Sequence, residues 1–409
     1  MNWWKSLFSI GVALMMLFAG MLRGDENAPL SISAGKGGFL LTSPDGDFIL
    51  KLRGYVQEDG RFFVSDKPTG AVDTFLLRRA RPILEGTLYK YFDFRIMPDF
   101  GNGQATIFDA YLDAKFSTAF KVRFGKAKPP VGLERLQSAT DIEFVERSLA
   151  NDLVPNRDLG IQVFGDLANA KINYTAGVMN GVVDGGNTDV DSGQSKDFVG
   201  RVFVKPANGL GLGIGFTSGN QDGSLTSPNL PTYKTSGQLT FFKYRLTTLI
   251  DTTTVANGRR YRYSPQFYYY HGPLGLFGEY VFSSQDVQNG LATAKINNKA
   301  WNLYATYVLT GENASYKAVD PKNPFDPSKG HFGALEVAFR VDQLDVDNDA
   351  FPIFADPLAV ATKAKNWTAG LNWYLNRNVK FVFDYDRTTF EGGNLSTENL
   401  LLTRFQVAF

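Results

Sequence analysis

The chain is 409 residues long and 14% aromatic, with 41 glycines, no cysteine, and 42 Lys+Arg against 41 Asp+Glu. A total this close to neutral excludes the concentrated basic excess of a nucleic-acid binder. The missing cysteines exclude disulfide scaffolds and thiolate metal sites.

Along the chain, the first element is an export signal. Met1 to Lys5 supplies a basic start, residues 6–22 are nearly all apolar (Met15, Met16, Leu17 and Phe18 among them), and Ala19 and Gly20 are small. This is the pattern of a secretory signal peptide, assigned to residues 1–24, with a single membrane anchor as the other reading of so long a run. Residues 25–46 are assigned to an N-terminal periplasmic segment and 47–409 to one barrel domain. No later apolar run reaches helix-spanning length, so the chain can enter a membrane only as a closed barrel, in which every backbone group is paired.

From residue 47 onward, side chains alternate with a period of two, the mark of strands with one apolar and one wet face. Phe120, Val122 and Phe124 oppose Lys121 and Arg123, and Leu335, Val337, Phe339 and Val341 oppose Glu336, Arg340 and Asp342. Marking each such stretch gives sixteen strands, at about 47–62, 74–88, 91–98, 105–116, 119–126, 159–167, 171–179, 197–206, 210–219, 259–270, 274–284, 299–310, 332–342, 364–375, 378–388 and 399–409. Links after even-numbered strands are mostly minimal, such as Tyr89-Lys90 and Asn376-Arg377. Links after odd-numbered strands are mostly long, including 127–158, 180–196, 220–258, 285–298, 343–363 and 389–398. Short turns on one rim and long loops on the other predict an all-β, 16-stranded antiparallel transmembrane β-barrel of a Gram-negative outer membrane. The link 311–331 is long yet lies on the short-turn side. The final strand closes on Leu401, Thr403, Phe405, Val407 and Phe409 of one face.

An ordered set of segments resembles the phosphate-selective porin O and P family: Phe75-Leu-Leu-Arg-Arg-Ala-Arg81 with Glu85-Gly86, Phe108-Asp-Ala-Tyr-Leu112, Arg123-Phe-Gly-Lys-Ala-Lys-Pro-Pro-Val-Gly-Leu-Glu134, Phe144-Val-Glu-Arg-Ser-Leu149, Asn156-Arg-Asp-Leu-Gly-Ile-Gln162, Leu309-Thr-Gly-Glu312, Gly333-Ala-Leu-Glu336 and Asn372-Trp-Tyr-Leu-Asn376. The resemblance implies a homotrimeric porin whose third extracellular loop, here 127–158, folds into the lumen. It also implies that the long link at Leu309-Thr-Gly-Glu312 is a family feature. Phosphate-selective members carry a ladder of arginines on the fifth extracellular loop, here within 220–258. Only Lys234, Lys243 and Arg245 are basic in the stretch that should hold it, Leu230 to Arg245, so the ladder is not reproduced.

If the apolar faces meet lipid, the alternate positions meet water and ions, and on this register they carry more bases than acids. Arg53, Arg79, Arg81, Lys121 and Arg123 are the expected pore-lining residues, and Lys126, Lys128, Arg135, Arg147 and Arg157 the expected basic residues of the constriction loop. A basic wall enriches anions and can replace part of an oxyanion's hydration shell. The expected function is passive diffusion of small hydrophilic solutes across an outer membrane with a preference for anions, phosphate or another oxyanion among them. The alternative is a non-conducting barrel whose loops bind a partner or a surface. The expected partners are small anions or other hydrophilic solutes, outer-membrane lipid and, from the resemblance, two further copies of the chain. Catalysis is not expected, since His271 and His331 fall at turns away from any activated nucleophile. No cofactor or metal is implied: Asp345, Asp347 and Asp349 lack the glycine and distal glutamate of a calcium loop, and Gly209, Gly211, Gly213 and Gly215 keep a strand period rather than running into a helix.

Overall fold

A computed structural model of the chain describes residues 30–409 apart from 36, 65–67, 69, 191–192 and 247–252. The signal assigned to residues 1–24 lies outside the described residues. In the segment 25–46, β1 (Ser31–Gly35) and β2 (Gly38–Thr42) form a hairpin. The barrel wall then begins with β3 (Ile49–Phe63), β4 (Thr74–Leu88), β5 (Phe92–Asp99), β6 (Thr106–Lys115), β7 (Lys121–Ala127), β8 (Asp158–Leu167), β9 (Ile172–Met179), β10 (Asp197–Ala207) and β11 (Leu210–Asp222). A small hairpin of β12 (Thr232–Lys234) and β13 (Thr240–Lys243) follows inside the next loop. The wall resumes with β14 (Val255–His271), β15 (Leu274–Asn289), β16 (Ala292–Val308), β17 (Ala334–Asp345), β18 (Lys363–Tyr374), β19 (Val379–Glu391) and β20 (Glu398–Ala408).

Each wall strand pairs antiparallel with its chain neighbours, and β20 pairs with β3, from Leu400 opposite Phe63 to Ala408 opposite Tyr55. The sixteen-stranded sheet is therefore closed, which removes the unpaired edge that lipid would not tolerate. Arg404 and Asp59 seal the seam from inside with two bonds of 2.7 Å. Below the seam, β2 takes over the edge of β3, placing Phe39 opposite Leu52. The outer face is apolar, with Phe124, Ile161, Phe216, Phe339 and Phe405 among its exposed side chains.

The sixteen strands match the sequence reading one for one, but the link 285–298 is not a loop. There β15 and β16 continue into an extended hairpin, leaving only residues 290–291 as its turn. The physical reason is an inversion of the pattern. In this stretch Val287 and Ile296 are buried inside while Asp286, Lys295 and Asn297 face out, as fits a wall standing in water above the membrane.

Inserted segments fill part of the lumen. The segment 128–157, with the short helix α1 (Leu133–Leu136), lies against inward-facing groups of β3, β15, β17 and β19. The N–H groups of Leu133, Val145 and Leu149 donate to Glu279 (2.6 Å), Asp384 (2.7 Å) and Asp342 (2.9 Å). Gln57 and Lys380 donate to the carbonyls of Ala139 and Ile142 at 2.8 Å. Inner-face glycines make room for it: a Cβ on Gly215 would come within 2.5 Å of the Pro130 carbonyl. From above, the loop 223–254 buries Tyr233, Phe241, Phe242 and Tyr244 in a cluster with Leu153, Val281 and Phe354. From below, the long link 309–333 brings Tyr316 to the same loop, its hydroxyl donating to the Leu133 carbonyl at 2.6 Å. These insertions occupy the side of β14–β19 and leave a path along β3–β9.

Candidate functional site

Two cavities occupy that path. The lower has a volume of about 670 Å³ and is lined by thirteen basic side chains but only two acidic ones, Asp109 and Asp141. The upper, about 440 Å³, lies between the loops. Four arginines, Arg78, Arg79, Arg135 and Arg147, line both cavities. They mark the junction every solute passing between the cavities has to cross.

Two local irregularities build this junction. Opposite Gln57 and Glu58 the β4 register slips by one residue, so that Gln57 pairs with Arg79 and Glu58 with Leu77. Arg78 is the extra residue, and such a bulge redirects a side chain that strict alternation would send outward. A second bulge on β6, opposite Met97 and Pro98, does the same for Phe108. Gly101 lets the backbone pack against the first bulge, since a Cβ there would lie 2.4 Å from the Arg78 carbonyl.

Aromatic faces and carboxylates hold the arginines on the wall. Arg81 lies 3.8 Å over the Phe108 ring, donates to Asp99 at 2.8 Å and to the Tyr55 hydroxyl at 2.7 Å. Arg123 lies 3.8 Å over Tyr111 with both arms on Asp113 at 2.7 and 2.8 Å. Arg53 and Arg95 share Glu85, and Arg157 donates to Asp109 at 2.6 Å. These cations are oriented but largely neutralised in pairs.

The uncompensated charge sits elsewhere. Among the described residues, Lys128, Arg135, Arg147 and Arg201 make no ion pair with a carboxylate, and Arg79 comes no closer than 4.0 Å to one, Glu146. Lys128 is held by the carbonyls of Leu136 and Gln137 at 3.0 and 2.9 Å. Arg147 is held by those of Glu134 and Gln137 at 3.0 and 2.9 Å. Main-chain oxygens fix a cation without cancelling its charge. Burial first, then the charges of Arg157 and Arg147, push the Lys128 ammonium well below the usual lysine range. Burial, then Arg147 and Arg157, lower Arg135 to about 9.

Of the ten residues expected from sequence, Arg53, Arg79, Arg81, Arg123, Lys128, Arg135, Arg147 and Arg157 line the lower cavity. Two do not. Lys121 stands near the short-turn rim, 3.5 Å from Asp166. Lys126 is in register with Ala110 and Leu159, on the face opposite Arg123, and is covered by Asp189 at 2.6 Å. Other inward bases, Arg260, Arg262, Arg340, Lys380 and Arg404, are buried behind the inserted loops, in contact with Asp197, Asp184, Asp342, Ile142 and Asp59. Arg78 was missed because only a bulge brings it inside. On the fifth loop, Lys234 lines the upper cavity, while Arg245 donates to the carbonyls of Ile353 and Pro352 and anchors the loop.

A family model described as phosphate-selective porin O and P matches residues 50–409. The chain is 27% identical to Porin O of Pseudomonas aeruginosa over 432 aligned positions, which cover 96% of this chain and 95% of that one. Among solved structures it is similar to the outer membrane channel DcaP of Acinetobacter baumannii, with a TM-score of 0.59, 12% identity and coverage of 91% and 100%. It is also similar to the anion-selective porin from Comamonas acidovorans, with a TM-score of 0.54, 12% identity and coverage of 88% and 100%. At these identities the two structures speak for the fold.

Proposed function

The chain belongs to the phosphate-selective porin O and P family, and from that premise we propose that this outer-membrane porin passes small anions by passive diffusion, oxyanions such as phosphate preferred. The observation that carries the reading is the junction of four arginines, backed by Lys128, where the loop cations have no carboxylate to cancel them. A permeating anion there exchanges part of its hydration shell for guanidinium donors, and the excess positive charge disfavours cations. Family membership implies a channel rather than an enzyme. Residues 1–24 serve as the export signal, and residues 25–46 lead from it into the barrel on the periplasmic side.

The assembly is a homotrimer. Strands β5–β9 are 7 to 10 residues long, whereas β14–β16 reach 16 or 17. A wall of eight tilted residues falls short of the ~25 Å apolar band of a barrel, and neighbouring copies of the chain would cover it. The test of conduction is the reversal potential of purified protein in a planar bilayer under a potassium chloride gradient. Its sign is expected to report anion preference, and phosphate added to both sides is expected to reduce the chloride current. Cation preference, or no current at all, overturns the reading.

A further inference from the structure

Among the described residues, Glu146 is the one carboxylate of the inserted loop within ion-pair distance of a junction arginine. It accepts from Arg78 twice, Nε to Oε1 at 2.5 Å and Nη2 to Oε2 at 3.1 Å, and lies 4.0 Å from Arg79. It is 5% exposed. The loop around it is immobilised from behind, with Arg340 donating to its own carbonyl at 2.9 Å and Val145 N–H donating to Asp384 at 2.7 Å. Burial pushes its carboxyl up, but the charge and hydrogen bonds of Arg78 override this and hold it well below the usual carboxylate range, ionised.

The two-armed grip on Arg78 is the one a phosphate or carboxylate solute would itself use on a guanidinium. We propose that Glu146 is a tethered counter-anion that determines solute specificity, occupying Arg78 in competition with the permeating oxyanion. The role rests on the anion-conducting reading above. A junction of bare arginines would hold an oxyanion long enough to block the path, and conduction needs a site that also releases. Glu146 supplies the release by returning to Arg78 as the solute leaves. The carboxylates on the wall, Asp99 and Asp113, pair with arginines of neighbouring strands and do not cross from loop to wall.

The experiment compares wild type, Glu146→Gln, Glu146→Asp, Arg78→Gln and the Arg78→Gln/Glu146→Gln double variant in planar bilayers, reading chloride current against inorganic phosphate and the reversal potential in parallel. Glu146→Gln keeps the volume and removes the charge, so the half-blocking phosphate concentration is expected to fall roughly tenfold, the worth of one charge-assisted hydrogen bond. The anion-to-cation permeability ratio is expected to rise with it. Should the Gln variant not assemble, Glu146→Asp is too short to keep both bonds and should shift block in the same direction, by less. In the Arg78→Gln background the effect should vanish, which a merely structural role for Glu146 would not produce. Unchanged phosphate block in both single Glu146 variants, with wild-type anion preference intact, overturns the proposal. A cation-preferring wild type overturns the underlying reading instead.

Discussion

Lys128 and Arg147 carry charge into the path because carbonyl oxygens, and no carboxylates, hold them. Three predictions belong to this scale. Arg147→Ala removes an uncompensated charge and should lower the anion-to-cation permeability ratio about fivefold, the effect of ~1 kcal/mol for a charge about 4 Å from an ion in water. Lys121→Ala and Lys126→Ala should leave the ratio unchanged, because neither side chain meets the path. Lys128 is lowered well below the usual lysine range by burial and its cationic neighbours, so its charge is present at low pH and lost as pH rises toward that range. Anion preference should fall over that interval in wild type and fall less in Lys128→Arg, whose guanidinium starts from a far higher value than an ammonium; reversal potentials at stepped pH check this. Arg53, Arg79, Arg81 and Arg123 could be placed on the inner face because strict alternation holds through most of the wall, whereas Lys128, Arg135, Arg147 and Arg157 came from the family resemblance and not from periodicity. Arg78 and Phe108 could not be placed, since each sits at a bulge where alternation slips by one and no local residue type announces it.

At the level of elements, the loop 128–157 is clamped rather than draped. The link 309–333 supports it from below through Tyr316, whose ring stacks on the cross-strand neighbours Tyr268 and Phe277, 5.4 and 6.4 Å away, while the fifth loop presses from above. Tyr316→Ala deletes both the stack and the bond to the Leu133 carbonyl. It should raise open-channel current noise while leaving the sign of the reversal potential unchanged, as single-channel recording would show. Gly215→Val, placing a branched side chain where the Pro130 carbonyl already stands, should displace the same loop and alter single-channel conductance. The strands themselves were readable from period-two patterning. The extended hairpin of β15 and β16 was not, because above the membrane its apolar side turns inward and the pattern changes sense. The insertions were not readable from periodicity either, since loop residues that pack inside a lumen are mixed polar and apolar without a period.

For the molecule as a whole, stability rests on closure. The seam between β3 and β20 is held by backbone pairing and by Arg404 on Asp59, both nearly inaccessible. Arg404→Ala leaves a buried carboxylate unpaired, a change that costs about 3–5 kcal/mol. It should lower the temperature at which the folded barrel loses its fast migration on unheated gels. Barrel class, strand number and compartment were legible because rim asymmetry is a global property that survives errors at single strands. The off-centre path was not, because it depends on which half of the lumen the insertions fill.

The hairpin of β15 and β16 has a use of its own. Sixteen or seventeen residues at ~3.3 Å each make a blade far taller than the apolar band it crosses, and Leu291 at its tip is fully exposed. An epitope inserted between Gly290 and Leu291 would therefore be carried clear of the lipid surface on a rigid mast. Antibody staining of intact cells would then read out the orientation of the barrel directly, without touching the route the ions take.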